Sequence, residues 1–139
     1  MKTVVHLLAV LLTGFFVNAQ DSNGVNISVT IDNVSTNEGK VMIALHSSET
    51  FMRGNGILNQ ESTIKDGKVE FTFENVVPGT YALMALHDAN ENNRMDFESN
   101  GMPKESYGMS GNDMTMGPPS FDTAKFEVTD KDLEFNIRF

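Results

Sequence analysis

The chain has 139 residues, and its 19 Asp and Glu against 10 Lys and Arg give a formal net charge of −9. This charge disfavours nucleic acid and anionic lipid surfaces as partners, because their phosphate groups would be repelled. The sequence contains no cysteine, which excludes disulfides, lipid attachment through cysteine and a cysteine nucleophile.

The N-terminus has the layout of a secretory signal peptide. Lys2 is followed by an apolar run from Val4 to Val17, and small residues precede Gln20 at the expected cleavage position. The run is shorter than the roughly 20 residues that a membrane-spanning helix needs. We therefore predict a signal peptide over residues 1–19, export to the periplasm, the cell surface or the medium, no stable membrane insertion, and one mature domain over residues 20–139.

Two kinds of hydrophobic pattern predict strands in the mature chain. Apolar and polar residues alternate in Val25–Ile31, Val69–Phe73 and Leu133–Phe139, which indicates strands with one buried face. Val41–Leu45 and Tyr81–Leu86 are apolar at successive positions, which is typical of central strands covered on both sides. These five segments are the main predicted strands.

Shorter signals complete the predicted order of elements. Asp66-Gly67 lies between Ser62–Ile64 and the next strand, which predicts a two-residue hairpin turn. Lys125–Val128 is a further strand candidate, whereas 47–60 and 97–123 read as loops, and no segment has a helical period. About seven short strands predict an all-β fold, an antiparallel β-sandwich of immunoglobulin-like or transthyretin-like architecture, with an open barrel as the alternative.

The best candidate for a functional site is the acidic, Asn-rich segment directly after the apolar strand 81–86. Oxygen-bearing side chains stand at every second position, with the spacing of the first positions of a calcium loop. Asn93 replaces the usual glycine and Ser99 the usual bidentate glutamate, and either Glu98 or Glu105 would supply the missing carboxylate. The predicted ligands of Ca²⁺ are Asp88, Asn90, Asn92, the backbone carbonyl of Arg94, Asp96 and, from the following loop, Glu105. The alternative is that Asp and Asn build turns here through side-chain to backbone hydrogen bonds.

Other residues of the sequence offer three further chemistries. His46 and His87 each end an apolar run and, together with Asp88, would make a transition-metal site if their strands bring them together. Thioethers bind copper, and the long loop contains Met102, Met109, Met114 and Met116. Carboxylates of the same loops also leave a hydrolase as a hypothesis.

A succession of motifs resembles a known family. Pro78–Ala82, His87–Asn90, Asp96, Gly101–Ser110 and Gly117–Phe121 follow one another in an order similar to that of the bacterial domain of unknown function 2141. The resemblance covers the mature chain and implies an exported bacterial protein, but the family has no established activity to transfer.

The sequence thus predicts an exported, non-catalytic β-sandwich module. It would bind a protein or a small ligand through the 88–96 loop and the long loop that follows, with Ca²⁺ holding the two together. A carboxylate-based hydrolase and a periplasmic copper-handling protein remain the alternatives.

Overall fold

A computed structural model describes residues 24–113 and 117–139. The predicted signal peptide 1–19 and two of the loop methionines, Met114 and Met116, lie outside the described residues. No helix in the described ranges is long and apolar enough to cross a membrane. The elements in chain order are β1 (Val25–Ile31), β2 (Lys40–His46), β3 (Leu58–Thr63), β4 (Val69–Val76), β5 (Gly79–Asp88), β6 (Tyr107–Met109), α1 (Phe121–Ala124), β7 (Phe126–Val128) and β8 (Leu133–Asn136).

The strands form two packed sheets, as the hydrophobic pattern predicts. The smaller sheet has the order β4-β1-β8, and the larger has the order β3-β2-β5-β6, with β7 paired to the start of β5. β2 and β5 are the central strands of the larger sheet, which confirms the prediction from their apolar character. Every pair is antiparallel except β1 and β8, which run parallel because the chain crosses between the sheets after β7.

The core lies between the inner faces of the two sheets. In β1 alternate residues from Val25 to Ile31 are buried while the residues between them are more exposed, and Phe71 and Phe73 of β4 continue the same apolar layer. Ile43 of β2 and Leu83 of β5 meet them from the larger sheet. Each such side chain contributes about 1.5–3 kcal/mol when it leaves water, so this layer is the main source of stability.

The turn between β3 and β4 confirms the predicted hairpin signal but connects two different sheets. Asp66 and Gly67 both have positive φ angles, 52° and 71°, and the backbone groups of Lys65 and Lys68 hydrogen-bond to each other across them. Beyond this bridge, however, β3 pairs with β2 and β4 pairs with β1. The two-residue turn therefore starts the separation of the sheets.

Three elements differ from the sequence expectation. β3 begins at Leu58, inside the predicted loop 47–60, and the predicted loop 97–123 contains β6 and the first three residues of α1. β3 is an edge strand with mostly exposed polar residues, so it lacks the alternation that identifies a strand. β6 has three residues and α1 four, and both are too short to establish a period.

A small apolar cluster covers one end of the outer face of the larger sheet. It contains Phe51, Ala82, Met109 and Ala124. The buried hydroxyl of Ser110 ties this cluster together, because its Oγ accepts the Leu83 N–H at 2.9 Å and donates to the carbonyl of Ala124. One side chain thus links β5 to the end of α1.

The double role of Ser110 leads to a stability prediction. Ser110→Ala leaves a buried N–H and a buried carbonyl without their partner, so we expect the free energy of unfolding to fall by about 2–4 kcal/mol. Urea denaturation monitored by circular dichroism measures this loss. Ser106→Ala is the control, because Ser106 is exposed and should change stability by less than about 0.5 kcal/mol. Equal stability of the two variants would contradict the linking role.

Candidate functional site

The predicted loop begins on a buried carboxylate at the end of β5. Asp88 is fully buried, with 0% of its surface exposed. Its Oδ1 accepts the Asn92 N–H at 3.0 Å and its Oδ2 accepts the Asn93 N–H at 2.8 Å. Glu91 and Asn93 have positive φ angles, 59° and 64°, which turn the backbone around the carboxylate. Asparagine tolerates this left-handed conformation better than most residues, which explains how Asn93 stands where a calcium loop usually has glycine.

The two asparagine amides converge on the second aspartate of the loop. Nδ2 of Asn90 and Nδ2 of Asn92 both donate to Oδ2 of Asp96, at 2.7 Å and 2.8 Å. The amide oxygens accept backbone hydrogen bonds, Oδ1 of Asn90 from Asn92 N–H at 3.2 Å and Oδ1 of Asn92 from Arg94 N–H at 3.1 Å. The structure therefore brings the predicted side chains into one hydrogen-bonded cluster.

Glu105 connects this cluster to the long loop. Its Oε1 accepts the Ala89 N–H at 3.2 Å and its Oε2 accepts the Asp96 N–H at 3.1 Å, so one carboxylate joins both ends of the Asp/Asn loop. The backbone N–H of Lys104 donates to the carbonyl of Asp96 at 2.8 Å. The sequence predicted Glu105 as a ligand contributed by the following loop, and the structure shows the hydrogen bonds that join its side chain to the Asp/Asn loop.

Arg94 projects its side chain into solvent. Its Nε lies 3.7 Å from Oδ1 of Asp96, and 76% of the side chain is exposed. An ion pair this exposed contributes at most about 1 kcal/mol. The use of the Arg94 backbone carbonyl as a ligand stays a prediction.

Lys40 is a site residue that sequence reasoning missed. Its Nζ donates to Oδ1 of Asn93 at 2.6 Å and to Oε2 of Glu61 at 2.7 Å. The hydrogen bond to Glu61 raises the pKa of Lys40, and the negative charges of Glu61, Asp88 and Glu91 raise it further, while burial acts in the opposite direction. Lys40 lies opposite Asp88 in the β2–β5 ladder, a pairing that only the strand register reveals.

The oxygen atoms of this cluster are ligands of the kind that suit hard cations better than transition metals. In the described part of the chain, no group of three or more His, Asp or Glu side chains is arranged to hold a metal ion. A cation at this loop would therefore need amide and backbone oxygens beside the carboxylates. Such a mixed oxygen set is the kind that Ca²⁺ accepts.

The predicted neighbourhood of His46 and His87 is wrong. Their strands do pair, but His46 lies opposite Ala82 and His87 lies opposite Val41, five positions apart along β2. At about 3.3 Å per residue the two histidines are about 17 Å apart, and an odd spacing places them on opposite faces. The antiparallel register therefore excludes a shared transition-metal site.

Each histidine has contacts of its own. Nδ1 of His46 is 3.2 Å from Oγ1 of Thr50, and its ring meets Phe51 edge-on. Nε2 of His87 is 2.8 Å from the carbonyl of Glu38, and its ring stacks with Phe139. Both therefore serve packing and hydrogen bonding.

The methionines of the long loop divide between two environments. Met109 belongs to β6 and is buried in the outer cluster, whereas 61% of Met102 is exposed. Both line one cavity of about 450 Å³ that Glu105 also borders. Of the four methionines considered as copper ligands, only Met102 and Met109 lie within the described residues.

The fold and the site define a class of protein, a two-sheet β-sandwich with a hydrogen-bonded Asp/Asn loop at the end of a central strand. The chain belongs to the family described as an uncharacterized protein conserved in bacteria (DUF2141), whose model matches residues 29–136. This match confirms the resemblance seen in the sequence motifs. No curated protein matches the chain.

The two contacts of Glu105 lead to a prediction about local stability. Glu105→Gln replaces one acceptor oxygen by an N–H₂ group that faces a backbone N–H. We expect a local loss of about 1 kcal/mol, or about fivefold faster exchange of the Ala89 and Asp96 amide hydrogens. Hydrogen exchange followed by NMR measures both amides. Glu98→Gln, at an exposed position of the same long loop, should leave them unchanged, and equal exchange in the two variants would contradict the anchoring role.

The environment of His46 leads to a prediction about pH. Burial lowers the pKa of His46 below its usual value of 6.5, although a hydrogen bond with the backbone of Thr50 acts in the opposite direction. As the pH falls, the unfolded chain therefore takes up a proton at His46 before the folded protein does. The contribution of the neutral His46 to the free energy of unfolding is present above pH 6.5 and is lost as the pH falls towards the folded-state pKa. His46→Gln removes this dependence. Urea denaturation at several pH values should show the two proteins converging as the pH falls, and parallel curves would refute the assignment.

Proposed function

We propose that this protein is an exported, non-catalytic binding module whose Asp88–Asp96 loop is stabilised by Ca²⁺. The proposal of export rests on the signal-like N-terminus, which lies outside the described residues. The proposal of calcium rests on one observation, the convergence of Asn90 and Asn92 on Asp96 beside the buried carboxylate of Asp88. The ion would fix the loop and, through Glu105, the long loop attached to it.

The contacts at Asp96 are compatible with a cation because the amide group of an asparagine keeps nearly the same shape when its oxygen and nitrogen exchange places. A half-turn about the last side-chain bond exchanges Oδ1 and Nδ2 of an asparagine at nearly constant shape. After this rotation, Asn90 and Asn92 would point two oxygens at the place where two N–H donors now meet Asp96. Ca²⁺ would then replace the amide N–H groups as the partner of the carboxylate, at the expense of two backbone hydrogen bonds of 3.1–3.2 Å.

The charges around the loop set the expected affinity. Asp88 and Asp96 are the two predicted carboxylate ligands within the loop, and the ammonium group of Lys40 lies beside the loop, hydrogen-bonded to Asn93. Few carboxylates and a neighbouring ammonium group both weaken cation binding. We therefore expect a dissociation constant of about 10⁻⁴–10⁻³ M, in the range of extracellular calcium modules.

The contacts of Glu105 favour this proposal over a hydrolase. A general base needs a carboxylate oxygen that can reach a substrate proton. Both oxygens of Glu105 instead accept backbone N–H groups of the Asp/Asn loop. The carboxylate of Glu105 is thus used as an anchor.

A calcium titration tests the proposal. After treatment with chelator, the protein should gain about 1.4–2.7 kcal/mol of stability in about 10 mM Ca²⁺, as expected for a dissociation constant between about 1 and 0.1 mM. Differential scanning fluorimetry should then show a melting temperature several degrees higher. Isothermal titration calorimetry measures the affinity directly.

Two variants separate a site in the loop from a general salt effect. Asp96→Asn removes a predicted ligand and should abolish the shift, whereas Glu98→Gln removes a charge of the same sign from an exposed position and should preserve it. Lys40→Gln removes the competing ammonium group and should tighten binding about two- to fivefold. No heat and no shift in the parent protein, or an equal shift in Asp96→Asn, would refute the calcium site.

A further inference from the structure

An apolar cavity of about 660 Å³ lies beside the Asp/Asn loop, on the outer face of the larger sheet. Met84 and Leu86 of β5 are in its lining, together with Met95 near the end of the Asp/Asn loop and, from the segment after it, Phe97 and Met102. Met84 lies beside Met109 and Leu86 beside Tyr107 across the β5–β6 pair, so the cavity opens where the outer apolar cluster stops covering the sheet. Its volume falls in the range of about 300–1,000 Å³ that small-molecule sites occupy.

The chemistry of the lining is uniform. Among its described residues there is no charged side chain, and the hydroxyl of Tyr107 is the single polar side-chain group. The lining residues Met52, Phe97 and Met102 expose 56%, 58% and 61% of their surface. These are three of the six large hydrophobic side chains left exposed in the described ranges. Apolar surface is thus concentrated around one concavity on a strongly acidic protein.

Backbone hydrogen bonds preform one wall of the cavity. Glu98 N–H donates to the carbonyl of Met102 at 2.7 Å, and Gly101 N–H donates to the carbonyl of Glu98 at 2.9 Å, so residues 97–103 close as a small hairpin. Phe97 and Pro103 form an isolated bridge at its base. A preformed wall reduces the ordering that a ligand must impose.

We propose that this cavity binds a small, uncharged aromatic molecule. Thioethers make favourable contacts with aromatic rings, and the rings of Phe97 and Tyr107 offer further partners. The lack of charge among the described lining residues, together with the net charge of −9, selects against anionic ligands such as fatty acids. A protein partner would need about 800 Å² of interface on each side, which three exposed apolar side chains around a concavity do not provide.

Fluorescence titration with the neutral dye N-phenyl-1-naphthylamine tests the proposal. The dye fluoresces more strongly in an apolar site, and we expect a dissociation constant of about 10 µM for a ligand of its size. Anilinonaphthalene sulfonate carries similar rings with a negative charge and should bind about tenfold more weakly. No increase in fluorescence with the neutral dye, or tighter binding of the anionic one, would overturn the proposal.

Matched variants locate the binding. Met102→Asp places a carboxylate in the exposed rim of the cavity and should weaken binding of the neutral dye about tenfold. Val77→Asp introduces the same charge at an apolar position that is 60% exposed and outside the cavity lining, and it should leave binding unchanged. Equal weakening by both substitutions would indicate non-specific adsorption and refute the site.

Methyl NMR of the parent protein gives a second test that does not depend on a variant. Ring currents of the bound dye should shift the methyl signals of Met84, Met95 and Leu86, while the δ-methyl of Ile43, in the core between the sheets, stays in place. Shifts in the core without shifts in the cavity lining would contradict the proposal. Titration in chelator tests this site independently of calcium, because its lining contains none of the predicted calcium ligands.

Discussion

The buried carboxylate of Asp88 is the interaction on which the rest of the site depends. An ionised group removed from water costs several kcal/mol unless hydrogen bonds and charges compensate. Here two backbone N–H groups, four and five residues later, donate hydrogen bonds to the carboxylate, and they can reach Asp88 only if the chain turns back on itself directly after β5. Lys40 adds a positive charge from the neighbouring strand. The end of β5 therefore determines the shape of the loop that follows.

The shape of this loop positions the other segments at this edge of the molecule. The turn brings Asp96 under the amides of Asn90 and Asn92, and Asp96 in turn holds the long loop through Lys104 and Glu105. The hairpin that forms one wall of the apolar cavity is the stretch between these anchors. A cation in the loop and a ligand in the cavity would therefore act on one continuous segment, residues 88–105.

Much of the fold could be predicted because its main strands have local patterns. The alternation in Val25–Ile31 and the apolar character of Tyr81–Leu86 reflect burial on one or both faces, and that burial is what the sandwich provides. The elements that were missed are those without a pattern of their own. β3 is a polar edge strand, and β6 exists because Tyr107, Gly108 and Met109 pair with β5.

The candidate site likewise contains residues that local spacing could predict and residues whose positions depend on strand pairing. Spacing along one loop identified Asp88, Asn90, Asn92 and Asp96, because residues so close in sequence can meet through local turns. The role of Lys40 and the separation of His46 from His87 depend on the register between β2 and β5. A shift in register changes both outcomes without any change in the local sequence.

The sequence by itself therefore determined the class of fold, the central strands and the oxygen-rich loop, since each follows from the pattern of residues within a short segment. Only the tertiary structure decided that Glu105 accepts backbone N–H groups at both ends of that loop, which lysine lies beside it, and where the apolar surface is left uncovered. These features arise between segments distant in sequence, such as Lys40 with Asn93 or β5 with residues 95–103. Their positions are set by strand pairing and packing across the whole domain, which no single segment encodes.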